Sequence, residues 1–257
     1  MSRDEDAARS AAAARKGANT ELTKRFYATA SVGETVDGYA VLLDGKTVRT
    51  PSKKPLAVPR RATAQALAAE WDAQVKIINP ATMPLTRLVN SAIDGVVGQE
   101  REVAADAAKF AGSDLLCYRA DLPEGLVALQ KQHWDPVLAW AARDLGCQFN
   151  VTVGVGHVAQ PQGSLAKIEG LAAGYDAFAL SGLHSMTTLM GSVLLALAAA
   201  RGHLTGEAAW AAAHVDEDWQ VSLWGTDDEA LARRQNRWRD MQAAMRLVGT
   251  VLSPSVS

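Results

Sequence analysis

Cysteine is scarce in this 257-residue chain. Cys117 and Cys147 stand 30 positions apart with no CxxC and no Cys/His ligand spacing, which argues against both a zinc site and a secreted disulfide framework. Both are expected as reduced thiols in the core, the usual place of a free cysteine. A surplus of positive charge is also missing. Lys and Arg total 26 against 28 Asp and Glu, for a net charge of −2, whereas a general polyanion binder carries a large basic excess, so no nucleic acid partner is expected. Glycine and proline are not in excess, at 20 and 9, and 48% of residues are hydrophobic. Disordered and fibrous readings are thereby out, and the length suits one large domain or two small ones.

The signatures of common catalytic chemistry are missing as well. The chain has no GxxxxGK[ST] phosphate loop, no GxSxG, no HExxH and no GxGxxG after a strand. The nearest approach is His214 with Asp216, Glu217 and Asp218, a set able in principle to bind a cation or do acid/base work. Consecutive acids point in different directions on any regular backbone, so a solvated or partner-facing acidic surface is the better reading. A metal-dependent or acid/base hydrolase using His214, Asp216, Glu217 and Asp218 is kept as the alternative; otherwise no enzyme, no metal site and no cofactor is expected.

Charge is absent from one long run, Phe178 to Ala200, which is long enough to span a bilayer. Ser181, His184, Ser185, Thr187, Thr188 and Ser192 are interspersed there with Gly182 and Gly191, so the run is expected as a buried central helix broken near Gly191, with no stable membrane insertion. Residues 1–22 are rich in Ala and Arg, but Asp4, Glu5, Asp6 and Glu21 spoil the acid-poor pattern of a transit peptide. They are expected as a flexible tail, and the protein as a cytoplasmic one from a bacterium.

What is present reads as α+β. A strand is expected over Phe26 to Val32, followed by a turn at Gly33. Tyr39 to Leu43 and Lys46 to Thr50 flank Asp44-Gly45, the dipeptide of a type I′ hairpin turn. Pro51 and Pro55 then stop the ladder. After Pro59, the residues Ala64, Leu67, Ala68, Trp71 and Val75 recur at helical spacing and define one apolar face. The expectation is a small N-terminal antiparallel sheet with a packed helix over residues 23–97, followed by a larger, mainly α-helical domain over 98–252. In the latter, stripes run through Val103, Ala107 and Phe110; through Leu126, Leu129, Val137, Trp140 and Ala141, with Pro136 expected to kink or divide the helix; and through Leu165, Ile168, Ala172 and Tyr175. A last helix places Leu231, Trp238, Met241, Met245 and Val248 on one face, and Phe149 to Val155 alternates as one short strand.

Two patterns point to a protein partner. Gly45 to Arg61 holds six basic residues and no acid, while Gly202 to Ala232 holds seven acids and no Lys or Arg. Faces of opposite sign steer and orient a charge-patterned partner. Tryptophan is the second pattern, with seven against four Phe and four Tyr. Most lie on apolar stripes, but Trp219 and Trp224 sit within the acidic block, where an aromatic flanked by carboxylates can anchor a partner.

Several segments in order are similar to the successive signatures of one family. They are Lys24-Arg25-Phe26-Tyr27, Leu43-Asp44-Gly45-Lys46, Glu70-Trp71-Asp72-Ala73-Gln74, Met83 to Leu88, Asp114 to Arg119, Gln132 to Pro136, Asp218 to Gln220 and Trp224-Gly225. The chain resembles, over roughly residues 22 to 250, the assembly chaperones of the ATP synthase catalytic head that hold the free alpha subunit. The resemblance implies a non-enzymatic chaperone with an N-terminal α/β and a C-terminal helical domain. It also implies the partner, the ATP synthase alpha subunit, held until beta replaces it, and a chaperone monomeric when free. Relatives in eukaryotes work in the mitochondrial matrix. The candidate partner-binding residues are Glu70, Trp71, Asp72 and Gln74, together with Asp216, Glu217, Asp218, Trp219 and Trp224.

Overall fold

The computed structural model of the protein describes residues 22–36 and 38–249. In the N-terminal sheet β2 (Gly38–Leu43) is central. β1 (Ala30–Thr35) pairs antiparallel along one side of it, and the short β3 (Lys46–Thr47) and β4 (Ala57–Val58) pair antiparallel with its opposite ends. Asp44 and Gly45 take φ of 47° and 79° and bring Leu43 opposite Lys46, the expected type I′ turn.

The start of the sheet differs from expectation. Phe26 to Thr29 lies outside β1 because its polar groups are satisfied elsewhere: the amides of Ala28 and Thr29 donate to the Asp44 carboxylate at 3.1 and 2.9 Å, and the Arg25 guanidinium donates to the carbonyls of Tyr27 and Ala28. Gly33 is not a turn either. It lies inside β1 opposite Ala40, where a Cβ would stand 2.6 Å from Leu42 Cδ1, so a larger residue there would have to displace the Leu42 side chain.

Helix α1 (Arg61–Asp72) follows Pro59 and packs Ala64, Leu67 and Ala68 against Val41, Leu56 and Val58 of the sheet. Val75, expected on the same face, lies beyond the helix end and is 79% exposed. A 3₁₀ turn (Pro80–Thr82), α2 (Pro84–Ser91) and one π turn (Ala92–Val96) complete this part. The helical part comprises α3 (Glu100–Lys109), α4 (Glu124–Asp144), α5 (Gln162–Ala173), α6 (Ala177–Met190), α7 (Val193–Ala200), α8 (Gly206–Ala213), α9 (Val215–Trp224) and α10 (Asp228–Val248). A small parallel ribbon, β5 (Tyr118–Arg119) with β6 (Thr152–Val153), lies beside α4.

Helix α4 is not divided at Pro136. Trp134, Val137, Trp140 and Ala141 on both sides of the proline are buried, and this packing outweighs the one backbone bond that proline cannot make. The uncharged run behaves as expected: α6 ends at Gly191, whose φ is 65°, and the Ser192 hydroxyl caps α7 by accepting the Leu195 amide at 3.0 Å. No helix among the described residues is long and apolar enough to cross a membrane. Leu231, expected on the buried face of the last helix, is 43% exposed. Cys117 and Cys147 are buried free thiols, and burial pushes the Cys117 pKa up to about 12.

Two hydrophobic clusters result, one in each part, and α10 serves both. Its Met241, Ala244 and Val248 join the helical core, while Ala243 and Leu247 pack with Leu67, Val89 and the sheet. Residues 84–91 also meet α10 through an ion pair of Arg87 with Asp240 at 2.6 Å.

Candidate partner-binding surface

The N-terminal candidates are mostly engaged inside the fold. Glu70 is half-buried, and its carboxylate accepts the amides of Leu85 and Thr86 at 2.9 and 2.8 Å and the Thr86 hydroxyl at 2.8 Å. It thereby caps α2, whose own N-cap residue Met83 offers no side-chain acceptor. Gln74 is buried. It accepts the Asn79 amide at 2.8 Å and donates to Glu70 O at 3.0 Å, fastening the loop after α1. Trp71 is half-buried, sits edge-on to Tyr27 with ring centroids 5.9 Å apart, and its carbonyl accepts the Tyr27 hydroxyl at 2.6 Å. Asp72 alone is well exposed, paired with Arg25 at 3.3 Å. Of this group Asp72 is the most exposed, Glu70 and Trp71 are half-buried and Gln74 is buried.

The C-terminal candidates form a surface. Asp216, Glu217 and Asp218 occupy the first turn of α9, where the helix dipole favours acids. Their carboxylates diverge: Asp216 accepts from Gln130 Nε2 of α4 at 2.8 Å, Glu217 faces Arg237 of α10 at 3.7 Å, and Asp218 pairs with Arg234 of α10. His214 is buried, its Nδ1 donates to the Trp210 carbonyl at 2.7 Å, and its ring lies against Trp210 at 4.0 Å. Burial depresses its pKa, which keeps it neutral. Glu217 Oε2 comes within 3.9 Å of His214 Nε2, beyond hydrogen-bond reach, and with the other two carboxylates turned to different partners the group does not assemble an acid/base pair. No group of three His, Cys, Asp or Glu among the described residues is placed to share a cation.

Trp219 and Trp224 part company. Trp219 packs its ring over Gly125 at the start of α4, close enough that a Cβ there would stand 2.6 Å from it. Trp224, at the end of α9, is 82% exposed. Around it the structure adds residues that the sequence reading passed over. Val221, Leu223 and Leu231 are exposed, and a hollow of about 380 Å³ opens between α9 and α10, lined by Glu217, Val221, Leu231, Arg234 and Arg237 among others. Val221, Leu223 and Trp224, three apolar residues inside an acidic block, were the available signal. Val221 and Leu231 thus line a hollow rimmed by charges of both signs, with the exposed Trp224 one turn further along α9, a composition that suits a partner-binding site.

The basic stretch is less free than its sequence suggests. Lys54 Nζ donates to Ile93 O at 2.9 Å, Arg49 to Lys53 O at 2.8 Å, and Arg60 to the carbonyls of Leu247 and Val248 at the end of α10. Several of these charges thus hold chain segments together rather than present a field.

A family model described as ATP12 chaperone protein matches residues 24–142. The mitochondrial protein atp12 of Schizosaccharomyces pombe is 26% identical over 202 residues, covering 74% of this chain and 69% of that protein. Among solved structures, Atp12 from Paracoccus denitrificans is 42% identical with a TM-score of 0.81, covering 88% of this chain and 97% of that one, and an acid-to-lysine variant of it matches equally. A candidate chaperone from Agrobacterium tumefaciens is 49% identical with a TM-score of 0.85, covering 90% of this chain and 87% of that one. These matches are to chaperones and not to enzymes, so the hydrolase alternative on His214, Asp216, Glu217 and Asp218 is set aside.

Proposed function

The chain belongs to the ATP12 chaperone family, and we propose that it assists assembly of the ATP synthase catalytic head by holding the free alpha subunit until beta replaces it. A subunit destined for an obligate ring exposes an apolar interface while unpaired, and such a patch aggregates unless covered. The observation that carries the client contact is the exposed Trp224 at the end of α9, one turn past Val221, which with Leu231 lines a hollow set among Glu217, Arg233, Arg234 and Arg237. An aromatic anchor in a charged rim gives a contact specific enough to select a client. It is also small enough to be displaced by the larger, more apolar subunit interface. Asp72 and the exposed part of Trp71 are a second, smaller contact in this reading. The chaperone works as a monomer in the bacterial cytoplasm, without cofactor or turnover.

The test is co-expression with the alpha subunit of the same organism, with beta as the control, followed by size exclusion of the soluble fraction. Wild type is expected to elute with alpha and not with beta. Trp224→Ala is expected to keep its melting temperature, because the side chain is 82% exposed, and to lose most of the complex. A complex with beta alone, or undiminished capture of alpha by Trp224→Ala, would refute the reading of client or of surface respectively.

A further inference from the structure

A cleft of about 680 Å³ opens where the two parts of the fold meet, lined by residues of α2, the π turn, α3, α6 and α10. Its size is that of a small-ligand site, and it shares no residue with the hollow between α9 and α10. Leu88, Val96, Val103 and Leu189 give it an apolar wall. Helix α6 turns a polar stripe to it: Ser181, His184, Ser185 and Thr188 stand at positions i, i+3, i+4 and i+7, and all four line the cleft. A helix that served only to fill the core would carry apolar residues there. The Thr188 hydroxyl is engaged by the His184 carbonyl at 3.0 Å. Ser181 differs. It is only 6% exposed, yet its hydroxyl has no hydrogen-bond partner among the described residues. Buried hydroxyls are ordinarily bonded, so one left open toward a cleft marks a place for a ligand atom.

Helix α3 supplies charge. Glu102 and Asp106 stand one turn apart on it, both exposed and both lining the cleft. Asp106 accepts from His184 Nε2 at 2.9 Å and from Lys109 Nζ at 3.1 Å, and these two bonds hold its pKa below the usual carboxylate range, so it stays ionised. An ionised carboxylate only accepts, so Nε2 carries the proton of the neutral imidazole and Nδ1 keeps a lone pair. Glu102 has no ion pair or hydrogen bond among the described residues. Arg87 also lines the cleft, but Asp240 takes it up at 2.6 Å. With histidine neutral, the lining carries three carboxylates against one guanidinium.

The open atoms are thus a carboxylate, an imidazole nitrogen and a hydroxyl, all able to accept, beside an apolar wall. Their complement is a group that only donates, and ammonium and guanidinium are the groups of that kind. An anion would meet the excess of negative charge, and a neutral apolar ligand would leave the acceptors unbonded. We propose that this cleft binds an alkylammonium or alkylguanidinium group, its charged end toward Glu102, His184 and the Ser181 hydroxyl and its stem along the apolar wall. Lys109, which reaches Asp106 from outside the lining, is a mobile surface partner worth little and does not fill the site. Two sources carry such a group, a basic side chain of the client and a free amine, and only the choice between them depends on the chaperone reading above.

The probe is butylguanidinium, titrated into the full-length protein at low ionic strength and followed by amide chemical shifts. Pentanoate serves as an anion of similar stem and 1-pentanol as a neutral control. Butylguanidinium is expected to saturate with a Kd on the order of 1 mM, shifting the amides of residues 102–106 and 181–188, and both controls to bind at least about tenfold more weakly. Glu102→Gln, at an exposed position, is expected to keep the melting temperature and to weaken the probe about fivefold. Ser181→Ala is expected to weaken it about tenfold. Equal binding by wild type and both variants, equal binding of either control, or shifts that map elsewhere would each overturn the inference. The same titration on the complex with the alpha subunit identifies the source: loss of the probe's binding assigns the group to the client, and undiminished binding assigns it to a free amine. A chain that captures no alpha refutes the chaperone reading, and the titration of the free protein still decides this one.

Discussion

Asp114 is the only carboxylate among the described residues that is fully buried, and its replacement by asparagine tests how the fold tolerates it. Its two oxygens accept the amides of Leu116 at 3.1 Å and Leu194 at 3.2 Å, and the adjacent Leu115 amide donates to Gly191 O at 3.1 Å. The residue so fastens the turn before β5 to the start of α7. Burial is the largest influence on it and pushes its pKa up to about 6, against the Ser192 hydroxyl and the backbone donors that favour the anion. A folded value above the unfolded one, near 4, means that the native state binds a proton the unfolded chain does not. The contribution to stability is then fully present below pH 4 and lost as pH rises through 6. Between pH 7 and pH 5 the two values give a gain of about 1.3 kcal/mol. Asp114→Asn loses that titration. It also turns an amide nitrogen toward a buried N–H, at a cost of about 1 to 3 kcal/mol, offset at pH 7 by the removal of a buried charge. The variant should therefore lie close to wild type at pH 7 and fall behind by about 1 kcal/mol more at pH 5. Urea unfolding followed by tryptophan fluorescence at both pH values measures this difference, in which the titration of the other acids cancels. A gap independent of pH, or one that widens toward pH 7, would show that the caps rather than burial govern Asp114.

Two further substitutions separate fold from contact. Glu70→Ala uncaps the amides of Leu85 and Thr86 and is expected to cost about 1 to 2 kcal/mol in urea unfolding, while Asp72→Ala removes an exposed pair with Arg25 and should change stability by less than about 0.5 kcal/mol; equal effects would contradict the capping role. Gly125→Ala places a Cβ 2.6 Å from the Trp219 ring and should displace that tryptophan, lowering stability by about 1 to 3 kcal/mol and red-shifting the emission of a single-tryptophan reporter at Trp219; an unshifted spectrum would mean that α4 and α9 separate freely.

Where one local rule decides the structure, the sequence was enough. Asp44-Gly45 forms its turn because few other dipeptides accept two positive φ angles, and the run from Phe178 to Ala200 breaks at Gly191 because glycine and a following Ser192 make a C-terminus and an N-cap in succession. Where a distant residue supplies the hydrogen bond, periodicity misled: Asp44 draws off the amides expected to open β1, and pairing with β2 opposite Ala40 makes Gly33 a strand residue instead of a turn. The same limit governs the site. A sequence segment such as Glu70 to Gln74 shows that its residues matter together, but a carboxylate that caps a helix fifteen positions away and one that meets a partner have the same letter. The acidic block separates only once α10 is in place, since Arg234 and Arg237 draw Asp218 and Glu217 toward that helix while Trp224 at the end of α9 stays exposed. The exposed valines Val151, Val153 and Val155 follow the same logic in reverse. Alternation with period two is normally evidence of a buried face, and here it marks an exposed one, because the inward positions are satisfied by β5 and Gln160 and no second layer covers the valines. Apolar periodicity predicts that a face will be covered, and in a protein whose family holds other chains the cover need not come from its own chain.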